Sequence, residues 1–341
     1  MKKNYFLLAA STMMFAACAQ TDMVNEVVTE EAPQTIGFEG FAGKTTRKEI
    51  TNVGDLQGVG FQVWGYKAPT AATMDWSNQY TVFNNTTVSY ADSKWGYEDP
   101  KYWDRTSTYK FYAAAPASQK SFYSIAPATG MITIANVESA ENDNSKDYLI
   151  DRDGYTIGGA YTGTEHDPVS FDFHHIMSKL SFKLKAAVAE EIVVTRLVMT
   201  GWNSGLGTFT QNAKTTPNVA NDYSEWTIAT AGVGNITLVG AGSSQASVTL
   251  NSDKSTLSTV TDEYIMVPQI IAAENLTFTI DFRIGTEEFI GQVGTLASQQ
   301  VWGTDAHTTY TISVGPDVID FNVNNVCGWD AGSPNPGTEI E

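Results

Sequence analysis

Leu276, Phe278, Ile280, Phe282 and Ile284 alternate without interruption with Asn275, Thr277, Thr279, Asp281 and Arg283. A helix would scatter such residues around its axis, whereas an extended strand turns successive side chains to opposite faces and sorts them into one apolar and one polar side. A strand of that kind needs cover on one face only, which suits an antiparallel sheet packed on a second sheet. The pattern returns in Tyr310, Ile312 and Val314, set among Thr309, Thr311 and Ser313, and in Leu180, Phe182 and Leu184, set among Ser181, Lys183 and Lys185. Helical periodicity is confined to weak stretches such as Ala186 to Glu191. The chain reads as all-β.

Composition bears on partners more than on fold. With 38 acidic against 20 basic side chains, a net charge of −18, the surface would repel phosphate backbones, so nucleic acid is excluded as a partner. A length of 341 residues allows one large domain or two of ordinary size, and the 8 Trp, 15 Tyr and 16 Phe, large apolar groups that stabilise by burial, argue against disorder.

The alternation changes phase once in an informative way. Val169, Phe171 and Phe173 place their apolar face on odd numbers, and Leu180, Phe182 and Leu184 on even ones. A pleated strand cannot exchange faces unaided, so His174 to Ser178 must hold a bulge, a bend or a crossover between sheets. A domain division is expected close by, after the glycine-rich stretch Gly154 to Asp167, giving units 48–168 and 169–341.

The N-terminus is a separate object. Lys2 and Lys3 precede an apolar run, Tyr5 to Phe15, too short to span a bilayer, so residues 1–17 read as a signal segment outside the fold. Phe15-Ala16-Ala17-Cys18 resembles a bacterial lipobox, in which the chain is cut before the cysteine and its thiol is lipidated. Phe15 stands where leucine is usual, and a plain signal peptide with an incidental cysteine is the alternative. The other cysteine, Cys327, then has no partner within the chain. Residues 18–34 form an acidic tether without aromatic side chains, and structure is expected from Thr35, where Ile36 and Phe38 alternate with Gly37 and Glu39.

Catalytic signatures are thin. His166, His174, His175 and His307 form no HExxH pair, and the glycines of Gly58-Val59-Gly60 and Gly205-Leu206-Gly207 lack the spacing and context that phosphate binding requires. No catalytic residue, metal or cofactor is expected. Glu141, Asp143, Asp147, Asp151 and Asp153 carry enough oxygens for Ca²⁺ but not in the order of an EF-hand, and a solvated acidic loop is the plainer reading. Trp76, Trp95 and Trp103, with Tyr97 and Tyr102, could stack on sugars, although their strand-like neighbours place most of them in a core.

A family likeness runs in order along nearly the whole chain. It rests on the lipobox ending at Cys18, on Trp95-Gly96-Tyr97 with Tyr102-Trp103, on Tyr109 to Pro116 and Lys146 to Ile150, and on Val169 to Leu184. Tyr264 to Gln269, the strands ending at Phe282 and Val314, and a final Val326 and Trp329 extend it. Together these segments resemble the fimbrillins, lipoprotein-derived subunits of the type V pili of Gram-negative gut and oral anaerobes. The resemblance implies two transthyretin-like antiparallel β-sandwich domains in tandem and a structural rather than enzymatic role. It further implies a precursor lipidated on Cys18, carried to the outer membrane, and cut by a trypsin-like protease after Arg47, with Lys44 and Lys48 as competing sites. That cut would remove a first strand, residues 35–47, with Ile36, Phe38 and Phe41 as its apolar set. A donor strand from another copy or a related pilus subunit would fill the groove, here Ile319, Phe321, Val323 and Val326 within 317–330. Adhesion to host or bacterial surface glycans or proteins would follow. The alternative is a surface glycan-binding lipoprotein whose first strand is never removed.

Overall fold

Thr277–Ile284, within the stretch of strictest alternation, is a strand whose Phe278, Ile280 and Phe282 are buried while Thr277, Thr279 and Asp281 are half-covered. The computed structural model describes residues 33–42, 53–69, 79–127, 129–141, 143–151, 160–162, 168–211, 224–316 and 319–328. Cys18, Lys44, Arg47, Lys48, Trp76, Asp153, His166 and Trp329 lie outside these, as do the side chains of Phe41, Glu141, Val326 and Cys327.

From the N-terminus come β1 (Phe38–Ala42), the helix α1 (Val53–Val59), β2 (Phe61–Pro69), β3 (Tyr80–Ala91) and β4 (Lys94–Gly96). Next are β5 (Ser107–Ala115), β6 (Tyr123–Ala126), β7 (Met131–Val137), β8 (Ala140–Glu141), β9 (Leu149–Asp151), β10 (Ala160–Thr162) and β11 (Val169–His175). There follow β12 (Ser178–Ala186), β13 (Ile192–Asn203), β14 (Gly207–Thr210), β15 (Trp226–Ile228), β16 (Val233–Val239), β17 (Val248–Leu250) and β18 (Ser258–Thr259). The last are β19 (Tyr264–Met266), β20 (Gln269–Ile271), β21 (Thr277–Ile284), β22 (Glu287–Thr295), β23 (Gln300–Trp302), β24 (Ala306–Val314) and β25 (Ile319–Gly328). The protein is thus all-β. Ala186 ends β12 rather than opening a helix, and α1 is the α-helix of the described residues.

An eight-stranded sheet runs β1-β11-β9-β5-β2-β3-β4, with β10 beside β5. Its central strands are buried on both faces, which is why β2 and β5 read as nearly continuous apolar runs rather than alternating ones. Phe61, Val63, Tyr109 and Phe111 pack into one cluster with Ile36, Phe38 and Leu56. Trp64, Tyr66, Tyr112 and Ala114 face the other way, onto a four-stranded sheet of order β15-β14-β7-β6. A second sandwich pairs the sheet β25-β24-β12-β19-β8 with the sheet β16-β13-β21-β22, and a cluster from Leu180 to Val314 fills the space between.

Two features depart from the sequence reading. Pairing is mostly antiparallel, but β1 runs parallel to β11, and β12 parallel to β24. The chain changes sheet at Ile176 and Met177, so β11 lies with the N-terminal strands and the changeover falls beyond the division expected at 168/169. The phase break is therefore a crossover, and its two residues are pinned. Ile176 N donates to Tyr148 O at 3.0 Å, Trp226 Nε1 donates to Ile176 O at 3.0 Å, and Asp305 N donates to Met177 O at 3.0 Å. Strands also pair across the two halves, β14 with β7 and β19 with β8, and residues 34–341 form one compact unit.

Two measurements follow from this packing. Phe182 meets Tyr310, Tyr264 and Phe278 at ring separations of 5.6, 5.7 and 6.1 Å, so Phe182→Ala should cost about 3–5 kcal/mol and lower the urea midpoint accordingly. His307 on β24 lies beside Ser181, with Nε2 2.9 Å from the hydroxyl, and burial together with Lys179 lowers its pKa from 6.5 to about 4. Between those values the unfolded chain binds the proton and the folded chain does not. Stability should therefore decline as pH falls from about 6.5 to 4, by roughly 3 kcal/mol in total, and His307→Gln should flatten that part of the profile measured by chemical denaturation.

Candidate functional site

The N-terminal strand is short and apolar on one side only. Ile36 and Phe38 are 1% and 4% exposed, Glu39 faces solvent, and Gly40 continues the inward phase with no side chain. β1 ends the eight-stranded sheet, laid along β11 in register Phe38↔Val169, Gly40↔Phe171 and Ala42↔Phe173. Its beginning is clasped from the other side. Ile36 N donates to Lys101 O at 2.8 Å, Trp103 N donates to Gln34 O at 3.0 Å, and Thr35 bridges to Tyr102.

Phe38 is the anchor. Its ring lies 5.1 Å from Phe83, 5.5 Å from Tyr97, 5.7 Å from Phe171 and 5.8 Å from Phe111, with Phe83 and Phe111 meeting it edge on. The Tyr97 hydroxyl donates to Ile36 O at 2.7 Å, and burial raises its pKa, which keeps that proton in place. Of the tryptophans expected either in a core or on a sugar platform, Trp95 and Trp103 line this slot or lie behind it, and Trp76 is outside the described residues. Trp103 stacks edge-on to Tyr109 at 4.9 Å, and Trp95 lies 4.8 Å from Phe61. Of the described aromatic set only Tyr102, at 53% exposure, faces solvent openly, so no stacking platform is assembled there.

The C-terminal strand occupies an edge as well. β25 ends its sheet, antiparallel to β24, with Val323 opposite Tyr310, Phe321 opposite Ile312 and Ile319 opposite Val314. Ile319, Phe321 and Val323 are only half-buried against the C-terminal core, in contrast to the fully covered Tyr310 and Ile312 of the neighbouring strand. Phe321 stacks on Phe278 at 4.9 Å and lies over Gly294, where a Cβ would stand 2.0 Å from its ring.

The other candidate clusters serve local ends. Asp147 takes the buried His175 Nδ1 at 2.8 Å, Asp151 accepts Asp172 N at 2.9 Å, and Asp143 accepts the Ser145 amide and hydroxyl, so these carboxylates do not converge on one cation. His174 lies 3.3 Å from Asp172 on the opposite face from His175, as a strand requires. Among the described residues no three metal-binding side chains come together, and no helix is long and apolar enough to cross a membrane.

Sequence reasoning found Ile36, Phe38 and the β25 residues through their alternation. It missed Tyr97, Lys101 and Leu56 as walls of the slot, because they belong to a loop and a helical turn without periodicity.

No curated protein matches the sequence. Among solved structures, a fimbrial protein from Bacteroides vulgatus is 16% identical, over 87% of this chain and 99% of that one, with a TM-score of 0.62. A candidate cell adhesion protein from Bacteroides uniformis, also 16% identical, is matched over 86% of this chain and 98% of that one at a TM-score of 0.48. The first likeness concerns the fold. The family model of fimbrillin-like proteins matches residues 48–329, from before α1 to just beyond β25, and this chain accordingly belongs to the fimbrillin-like family.

Proposed function

We propose that the protein is a structural fimbrial subunit, exported as a lipoprotein on Cys18, cut after Arg47 and polymerised by donor-strand exchange at the cell surface, without catalysis. The observation that carries this reading is the placement of β1, an end strand that plugs an aromatic slot. Strand edges present unpaired amides and carbonyls, and an incoming strand can replace a departing one bond for bond.

The energetics favour replacement over vacancy. Loss of β1 uncovers the pockets of Ile36 and Phe38, worth on the order of 4–6 kcal/mol at about 2–3 kcal/mol each, besides the hydrogen bonds to β11 and Lys101. The gain is confined to two large side chains, because the third inward position is Gly40. Residues 43–52 connect β1 to α1 and include Lys44, Arg47 and Lys48, so a trypsin-like cut there separates the plug from the body. β25 supplies a donor of matching chemistry, half-buried on its own sheet and preceded by Gly315-Pro316. The glycan-binding alternative loses support, since Trp95, Trp103 and Tyr97 are engaged in packing.

Mass spectrometry of the surface-assembled form should find an unmodified N-terminus at Lys48. Arg47→Ala should leave the chain beginning at lipidated Cys18 and abolish the polymer ladder; assembly of subunits that still carry Cys18 and β1 would sink the reading. New ends following Lys44 or Lys48 would move the cut without changing the mechanism. Phe38→Ala should lower the stability of the uncut chain by about 3–5 kcal/mol, read from its denaturation midpoint, and after the cut should hasten loss of β1.

A further inference from the structure

The two exchangeable strands share a spacing. Ile36-Gly37-Phe38-Glu39-Gly40 and Ile319-Asp320-Phe321-Asn322-Val323 both place isoleucine and phenylalanine two residues apart with the same face inward. Laid in the direction of β1, the donor sets Ile319 in the Ile36 pocket and Phe321 among the four rings around Phe38. Val323 then falls on Gly40.

At Gly40 there is no room. A Cβ would stand 2.9 Å from Leu56 Cδ2 and 3.2 Å from ring atoms of both Phe61 and Phe173, and the γ-methyls of valine reach deeper still. The two rings, 5.3 Å apart on β2 and β11, need give by only a few tenths of an ångström, and the close contact at 2.9 Å is with Leu56. Leu56 is different. It is the buried residue of α1, a helix of seven residues, too short to hold its form by its own hydrogen bonds.

We infer that Leu56 is a gate on the third pocket of the strand slot: α1 must withdraw this side chain before a donor strand carrying Val323 can seat fully. The inference rests on the donor-strand reading above and adds to it a residue that decides when exchange completes. In the uncut chain Leu56 is held against β1, its Cδ2 lying over Gly40 in the cluster that also contains Phe38. Loss of β1 after a cut at Arg47 takes Gly40 and Phe38 away from the cluster that holds Leu56, while Phe61 and Phe173 stay, so the same event that frees the plug loosens the gate. An uncut precursor is thereby protected from capturing a neighbour's strand even when β1 frays.

The test uses the full chain cut after Arg47 and stripped of its first strand, with labelled peptides spanning residues 315–328, either native or carrying Val323→Gly. Leu56→Ala should tighten binding of the native peptide by about tenfold, at the low end of what overpacking a close-packed site costs, and change the Val323→Gly peptide by less than about twofold. Leu56→Val, a milder truncation, should shift the native peptide in the same direction and serves if the alanine variant does not fold. Equal effects on both peptides, or none on the native one, would overturn the gate while leaving strand exchange intact. Failure of either peptide to bind any form of the cut chain would overturn the donor-strand reading, and the gate with it.

Discussion

Phe38 is held by four aromatic rings that come from four different places in the chain: β3, β5, β11 and the turn after β4. Each such contact adds roughly 0.5–1.5 kcal/mol beyond simple burial, and none of the four rings has another means of filling the same space. The N-terminal core is consequently closed by a residue on an end strand, a place where most sheets put polar or charged side chains. Water cannot replace that ring without exposing the rest, so the slot demands an occupant.

The edge strand of the C-terminal sandwich is covered less completely. β25 completes the C-terminal sandwich, yet its inward side chains are half-covered, and close seating of Phe321 depends on the missing side chain of Gly294. A strand docked in this way keeps its backbone ladder to β24 while its apolar side chains stay only partly covered. The body is interlocked by strands that pair across halves, and the crossover at Ile176 and Met177 is fixed by two backbone hydrogen bonds and one from the Trp226 indole, beside the buried His175–Asp147 pair. Leaving either member of that pair uncompensated would strand a polar group away from water, which makes the crossover an expensive place to open.

The residues that suggested chemistry have structural uses instead. Asp147, Asp151 and Asp143, in and before β9, direct their carboxylates to a histidine, a backbone amide and a turn. Trp95 and Trp103 fill space behind the slot. A sequence shows that carboxylates or indoles are near one another along the chain; it does not show where they point, and orientation separates a ligand set from a set of caps.

What the sequence determined by itself was local: period-two alternation placed β21, β24 and β12 and named Ile36, Phe38, Ile319, Phe321 and Val323 as apolar faces, because side-chain direction in a strand depends only on position parity. The phase break near His174 was likewise legible, since no single strand can satisfy both parities. Partnership was not legible. That β1 lies parallel to β11, that β11 stays with the N-terminal strands, and that Leu56 stands over Gly40 were decided by tertiary packing. Backbone ladders carry no residue code, and a side chain's neighbours across a core come from distant segments whose approach is settled only when the whole apolar surface is covered at once.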